Sequence, residues 1–232
     1  MRTFLSLAMA SVATAHFTLD WPVNRGFNED TMPTFPCGGF DTPSSNRTVI
    51  SLDADTLPVD ITFHHSQTAV SYLLALGTDP GSNFNITLSP TLAAQGLGEF
   101  CLPNIKLSSL NLTDGQNATL QVVTDGDTGG GLFACADITF SSSLTKNSPT
   151  SCTNGSSVSA SALSGADGAR IANLSNSDGS AQSATTSSSS TSGSTSATAS
   201  ASSSTHTGAA MTLQTASWGV LGSAFVACLA LL

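Results

Sequence analysis

Between residues 153 and 208 the chain is almost entirely Ser, Thr, Ala, Gly and Asn, so a core has to be built from what precedes them. Runs such as Ser187–Ser190 and Ser202–Ser204 have no apolar surface to bury. They cannot offset the entropy lost on ordering and are expected to stay unfolded. Residues 16–152, about 137 in number, carry the aromatic and branched apolar side chains and make one folded domain. A Ser/Thr-rich segment on a secreted chain reads as an O-glycosylated stalk, here 153–208.

Both ends read as processing signals. Arg2 precedes the apolar run Phe4–Val12, and Ala13-Thr14-Ala15 supplies small residues for cleavage, so 1–15 is a signal peptide. Trp218–Leu232 is fifteen mostly apolar residues with no basic stop after it. A membrane span needs about 20. The run fits a GPI-anchor signal over 209–232, with Gly208 as the attachment residue in Gly208-Ala209-Ala210, Ser203 or Ser204 as rivals, and a genuine membrane helix as the alternative reading. Such a chain is held on the outer face of the plasma membrane or in the cell wall.

Within the folded region, Val59–Phe63, Phe84–Leu88 and Thr119–Val122 alternate apolar and polar residues. Val70–Leu76 and Gly131–Phe140 are more continuously apolar and so more deeply buried. Turn signals separate them at Asp79-Pro80-Gly81, Thr113-Asp114-Gly115 and Thr124-Asp125-Gly126-Asp127. Short strands with frequent turns and no amphipathic helix predict an all-β antiparallel β-sandwich. Leu92–Leu97 is the one segment that reads as a short helical turn.

Five cysteines are present, and Cys228 lies in the apolar tail. Cys37, Cys101, Cys135 and Cys152 remain, enough for two disulfides in a secreted chain, with three pairings open. Asn46, Asn85, Asn111, Asn117, Asn154 and Asn173 each begin an Asn-x-Ser/Thr glycosylation site. Only 9% of residues are charged, and Asp and Glu outnumber Lys and Arg by 15 to 6. Nucleic acid is an unfit partner for so few basic residues, because that binding is driven by Lys and Arg on phosphates.

Cleavage after Ala15 makes His16 the first residue of the mature chain. Its free α-amine and ring Nδ1 can then close a six-membered chelate on one metal. Copper(II) favours square arrangements of nitrogen and oxygen, which this chelate begins. His64 and His65 follow the strand Val59–Phe63. Side chains alternate along a strand, so the two point apart, and His65 shares the face of Ile61 and Phe63. His65 is the preferred second ligand, with His64 as an additional candidate. Asp137 sits in the apolar strand segment Ala134–Ile138, where a carboxylate is costly unless paired. A metal could pair with it, and so could an arginine or backbone amides. His16, His65 and Asp137 together offer three nitrogens and one oxygen, a set suited to one copper(II) ion. Zinc more often takes a tetrahedron of side chains. His206 lies in the stalk.

His16-Phe17, Pro22-x-x-Arg25-Gly26-Phe27 and Pro36-Cys37-Gly38-Gly39 resemble the start of a fungal family of GPI-anchored copper-binding proteins. These are called copper acquisition factors and are similar in fold to lytic polysaccharide monooxygenases. Gln67-Thr68-Ala69-Val70, Gly81–Asn85, Gly96-Leu97-Gly98-x-Phe100-Cys101 and Cys135-Ala136-Asp137 extend the resemblance across the domain. It implies an immunoglobulin-like or fibronectin-like β-sandwich and a copper(II) site in which His16 gives amine and ring, His65 a second ring, and Asp137 a carboxylate.

The same histidine brace in a polysaccharide monooxygenase activates oxygen. Such an enzyme needs a sugar-gripping surface, commonly aromatic, yet the only tryptophan of the folded region is Trp21 and its only tyrosine Tyr72, and Trp21 reads as core. A ligating carboxylate also favours oxidised copper. These points favour a non-enzymatic cell-surface protein of copper homeostasis or uptake, monomeric and able to deliver to a membrane copper transporter. The alternatives are a copper-dependent monooxygenase acting on wall polysaccharide and a structural wall glycoprotein.

Overall fold

The protein is described by a computed structural model covering residues 16–126, 130–144 and 152–183. The signal peptide, Ser203, Ser204, His206, Gly208 and Cys228 lie outside the described residues.

Two sheets face each other. The smaller holds β1 (Phe17–Trp21), β3 (Thr56–Phe63) and β7 (Gly98–Lys106) in the order β1-β3-β7, all antiparallel. The larger runs β10 (Ser159–Ala162), β6 (Leu92–Gln95), β4 (Gln67–Leu76), β8 (Asn117–Asp125), β9 (Gly131–Ser141) and β2 (Thr48–Ser51). A two-residue strand, β5 (Ile86–Thr87), also pairs with β4. The alternation expected over Phe84–Leu88 therefore yields pairing at two residues. One edge departs from the antiparallel rule: β2 lies parallel to β9.

The sandwich follows from period-two alternation. Leu57, Val59, Ile61 and Phe63 of β3 enter the same core as Val70, Tyr72 and Leu74 of β4 and Ala118, Leu120 and Val122 of β8. Trp21 packs against this core while remaining partly exposed. A second cluster, Ala69, Leu73, Val123, Phe133 and Ala172, uses the alternate positions of β4, β8 and β9. That cluster needs Ala172, from beyond the expected end of the domain.

The stalk boundary at 153 is thus corrected. Residues 152–183 continue the fold, with β10 at the sheet edge, a short helix α1 (Gly165–Ala169) and a 3-10 turn at Ala172–Leu174. Their composition hides this because they attach mainly through backbone. β10 bonds to β6 along four residue pairs, Ala172 N donates to Ser71 Oγ at 2.9 Å, and Cys152 is bonded to Cys101. The helical turn expected at Leu92–Leu97 is likewise a strand, β6, held on both sides by β4 and β10. Gly96 ends it at φ +102°, where a Cβ would stand 1.9 Å from the Ser157 carbonyl oxygen, so only glycine lets the late segment dock.

The second disulfide is Cys37–Cys135, which with Cys101–Cys152 settles the pairing. It fastens the long connection between β1 and β2, residues 22–47, onto β9. Arg25 N donates to the Cys135 carbonyl and Phe133 N to the Met32 carbonyl, both at 2.9 Å. Of the glycosylation sites, Asn46, Asn85, Asn111 and Asn154 are exposed, whereas Asn117 and Asn173 are partly buried.

Candidate metal centre

His16 immediately precedes β1, and His64 and His65 immediately follow β3, its antiparallel partner. The ladder continues one step beyond the strands, with His64 N donating to the His16 carbonyl at 3.1 Å. Strand pairing alone therefore brings the first histidine to the histidine pair. A narrow recess at this end of the sandwich is lined by His16, Phe17, Phe63, His65, Thr68, Thr124 and Asp125.

His65 turns its Nδ1 to the Gln67 carbonyl at 2.7 Å. A proton on Nδ1 serves that bond and leaves the lone pair on Nε2, the usual way a second interaction fixes the tautomer of a ligating histidine. His64 does something else. Its ring stacks on that of His16, with centroids 4.5 Å apart and planes 19° apart. The structure makes it a packing neighbour of His16. The Nε2 of His16 stands 3.3 Å from Oε1 of Glu29, on the 22–47 connection, and Phe27 of that connection lies 6.1 Å from the His16 ring.

Asp137 is not brought to the histidines. It lies on β9 six residues past Gly131, the partner of Asp125, which at about 3.4 Å per residue is roughly 20 Å along the strand. Both its oxygens are committed. Arg25 Nε and Nη2 donate to Oδ2 and Oδ1, each at 2.8 Å. Ser44 N donates to Oδ2 at 2.6 Å and Thr119 Oγ1 to Oδ1 at 2.7 Å. Burial raises its pKa, but the bonds from Arg25, Ser44 and Thr119 outweigh that and hold it below the ordinary carboxylate range. The expected metal carboxylate is a buried half of an arginine pair.

The carboxylate that does share the recess is Asp125, at the end of β8. Its Oδ1 accepts from Thr68 Oγ1 at 2.5 Å and from Ala69 N at 2.7 Å. Burial raises its pKa, an effect opposed by the bonds from Thr68 and Ala69 and by the nearby His65. In the sequence this residue was one of a run of turn formers. The signal that could find it is the β4–β8 register, which sets Thr124 opposite Val70 and so places Asp125 beside the start of β4, two residues after His65.

Among the described residues, no three His, Cys, Asp or Glu side chains alone could enclose a metal ion. A chain beginning at His16 would add its α-amine as a donor that is not a side chain.

The family model for BIM1-like copper acquisition factors matches residues 14–157. Copper acquisition factor BIM1 of Cryptococcus neoformans var. grubii is 35% identical over 67% of this chain and 74% of its own. The chain belongs to the BIM1-like copper acquisition factor family. An uncharacterised protein of Aspergillus fumigatus is 52% identical over 97% of both chains. The lytic polysaccharide monooxygenase-like protein X325 of Yarrowia lipolytica is 33% identical over 68% of this chain and 62% of its own. Membership in a BIM1-like family gives the chain a copper-related function, and the matched residues 14–157 include His16, His65 and Asp125.

Proposed function

We propose that the mature chain begins at His16 and binds one copper(II) ion at the end of the sandwich. The donors are the α-amine and Nδ1 of His16 and Nε2 of His65, with Asp125 as the carboxylate facing the ion. The observation that carries this reading is the recess shared by His16, His65 and Asp125, with the His65 Nδ1 already engaged by a carbonyl. Nitrogen-rich donors in a plane with one oxygen suit copper(II) over harder cations. An anionic carboxylate beside the ion stabilises the higher charge of the oxidised state, which favours holding copper over cycling it. The role is copper acquisition at the outer cell surface, with the chain beyond the domain as a glycosylated tether and a GPI anchor at Gly208.

The amine decides the test. Protein starting at His16 is compared with protein carrying one extra residue before it, by copper(II) competition titration and electron paramagnetic resonance. The extended form is expected to bind at least tenfold more weakly, on the order of other ligand-environment losses at metal sites, and to lose one nitrogen from its spectrum. Equal affinity in the two forms removes the amine and the brace with it.

One observation favours a second reading. Phe27 and Phe35 are 43% and 52% exposed on the 22–47 connection, and Phe27 stands beside His16. An apolar surface there could meet a polysaccharide chain. Copper-loaded protein with a reductant and wall polysaccharide should release no oxidised oligosaccharide above a His65→Ala control. Release above that control replaces the acquisition reading with an oxidative one.

A further inference from the structure

We infer that Glu29 is a positioning residue of the metal centre, selecting which nitrogen of His16 faces the ion. This rests on the His16–His65 reading above and extends it to a residue outside the donor set.

A chain-terminal histidine has freedom that works against chelation. Its ring can turn either nitrogen toward an incoming ion, and only Nδ1 closes a ring with its own amine. The Nε2 of His16 stands 3.3 Å from Oε1 of Glu29. A carboxylate at that distance can accept a hydrogen bond from Nε2–H, which holds the proton on Nε2 and the lone pair on Nδ1, on the side of the amine. The stacked ring of His64 restricts the same imidazole through its face.

Glu29 is itself held. Asn28 caps the turn, its Oδ1 accepting from Asp30 N at 2.9 Å and its carbonyl from Thr31 N and Met32 N at 3.2 and 3.0 Å. Thr31 Oγ1 donates to the Gly38 carbonyl at 2.7 Å, and Met32 is buried with its carbonyl on Phe133 N. The connection is locked to β9 on both sides of this turn, by Arg25 on Asp137 and by Cys37–Cys135. Glu29 is thus presented to His16 by a braced turn. As an ion pair alone it is worth little, with its side chain 51% exposed. Its effect lies in the geometry of the ligand.

The test uses protein starting at His16, with Glu29→Gln, Glu29→Ala and Glu29→Asp variants. Copper(II) affinity is measured by competition, the site by electron paramagnetic resonance, and the fold by thermal unfolding of metal-free protein. Glu29→Ala should weaken copper(II) binding about 10-fold or more and alter the nitrogen hyperfine pattern, at an unchanged melting temperature, whereas Glu29→Gln, which keeps an acceptor oxygen, should weaken it less. Glu29→Asp should recover part of both. Wild-type affinity and spectrum in Glu29→Ala overturn the proposal while leaving the donor set intact. Wild-type protein that binds no copper, or binds it equally after His65→Ala, removes the donor set and this proposal together.

Discussion

Asp125 and Asp137 sit on neighbouring strands and have opposite characters. Burial lifts the pKa of Asp125, while Arg25, Ser44 and Thr119 hold that of Asp137 down. The two should separate cleanly under substitution. Asp137→Asn strands Arg25 in a nearly dry site, where breaking one side of a buried pair costs about 3–5 kcal/mol. Its melting temperature should fall by roughly 10 °C, given about 2–4 °C per kcal/mol in a domain of this size. Asp125→Asn keeps an Oδ1 to accept from Thr68 and Ala69, so metal-free protein should melt nearly as wild type. Its copper(II) affinity should fall about tenfold or more. Normal copper binding in Asp125→Asn returns the carboxylate role to another group. That His16 and His65 stand out is legible in the sequence because one follows a cleavage pattern and the other comes just after a strand, and the two line one recess. The choice between two aspartates is not legible there, because it depends on how β8 is registered against β4, and that is a property of two distant segments.

At the level of elements, the small sheet carries an acidic row on its outward side. Asp60 of β3 lies opposite Trp21 and Cys101, Glu99 lies opposite Thr62, and Asp20 accepts from Thr62 Oγ1 at 2.7 Å. Asp60 is 6% exposed, and its Oδ1 is buried with no hydrogen-bond partner. Burial, then Glu99 and Asp20, push its pKa from 3.8 up to about 6. A carboxyl raised in the folded state favours the folded state while it stays protonated. Its contribution is whole below pH 3.8 and is lost as pH climbs through about 6. The two-unit shift corresponds to at most about 3 kcal/mol. Urea unfolding of metal-free protein at pH 4 and pH 7 should show Asp60→Asn gaining on wild type at the higher pH. A constant difference between the two proteins at both values contradicts the assignment. Most of β3 and β8 could be read from alternation, and β4 and β9 from continuous apolar runs, because β4 and β9 are buried on both faces. β6 could not, since four residues of Leu, Ala and Gln take their conformation from the strands on either side.

On the scale of the whole molecule, the boundary of the folded unit carries the main surprise. Residues 153–183 read as stalk because so few of them bury apolar area, yet they complete the larger sheet and cover Ala69, Leu73, Val123 and Phe133. Protein ending at residue 152 should melt at least about 5 °C below protein ending at 183, the equivalent of roughly 2 kcal/mol, and expose that cluster to a hydrophobic dye. Equal melting temperatures make the segment an ornament. The same attachment also defines a path for force. Tension on the chain beyond residue 183 meets first the Gln182 contacts with Leu174 and Ser175, then the four-pair ladder of β10 on β6, and then the covalent link from Cys152 to Cys101. The hydrogen-bonded part can peel and re-anneal, whereas the sulfur bond halts the tear. No residue lining the His16 recess lies beyond that stop. The late segment can therefore detach as far as Cys152 without removing any residue that lines the recess.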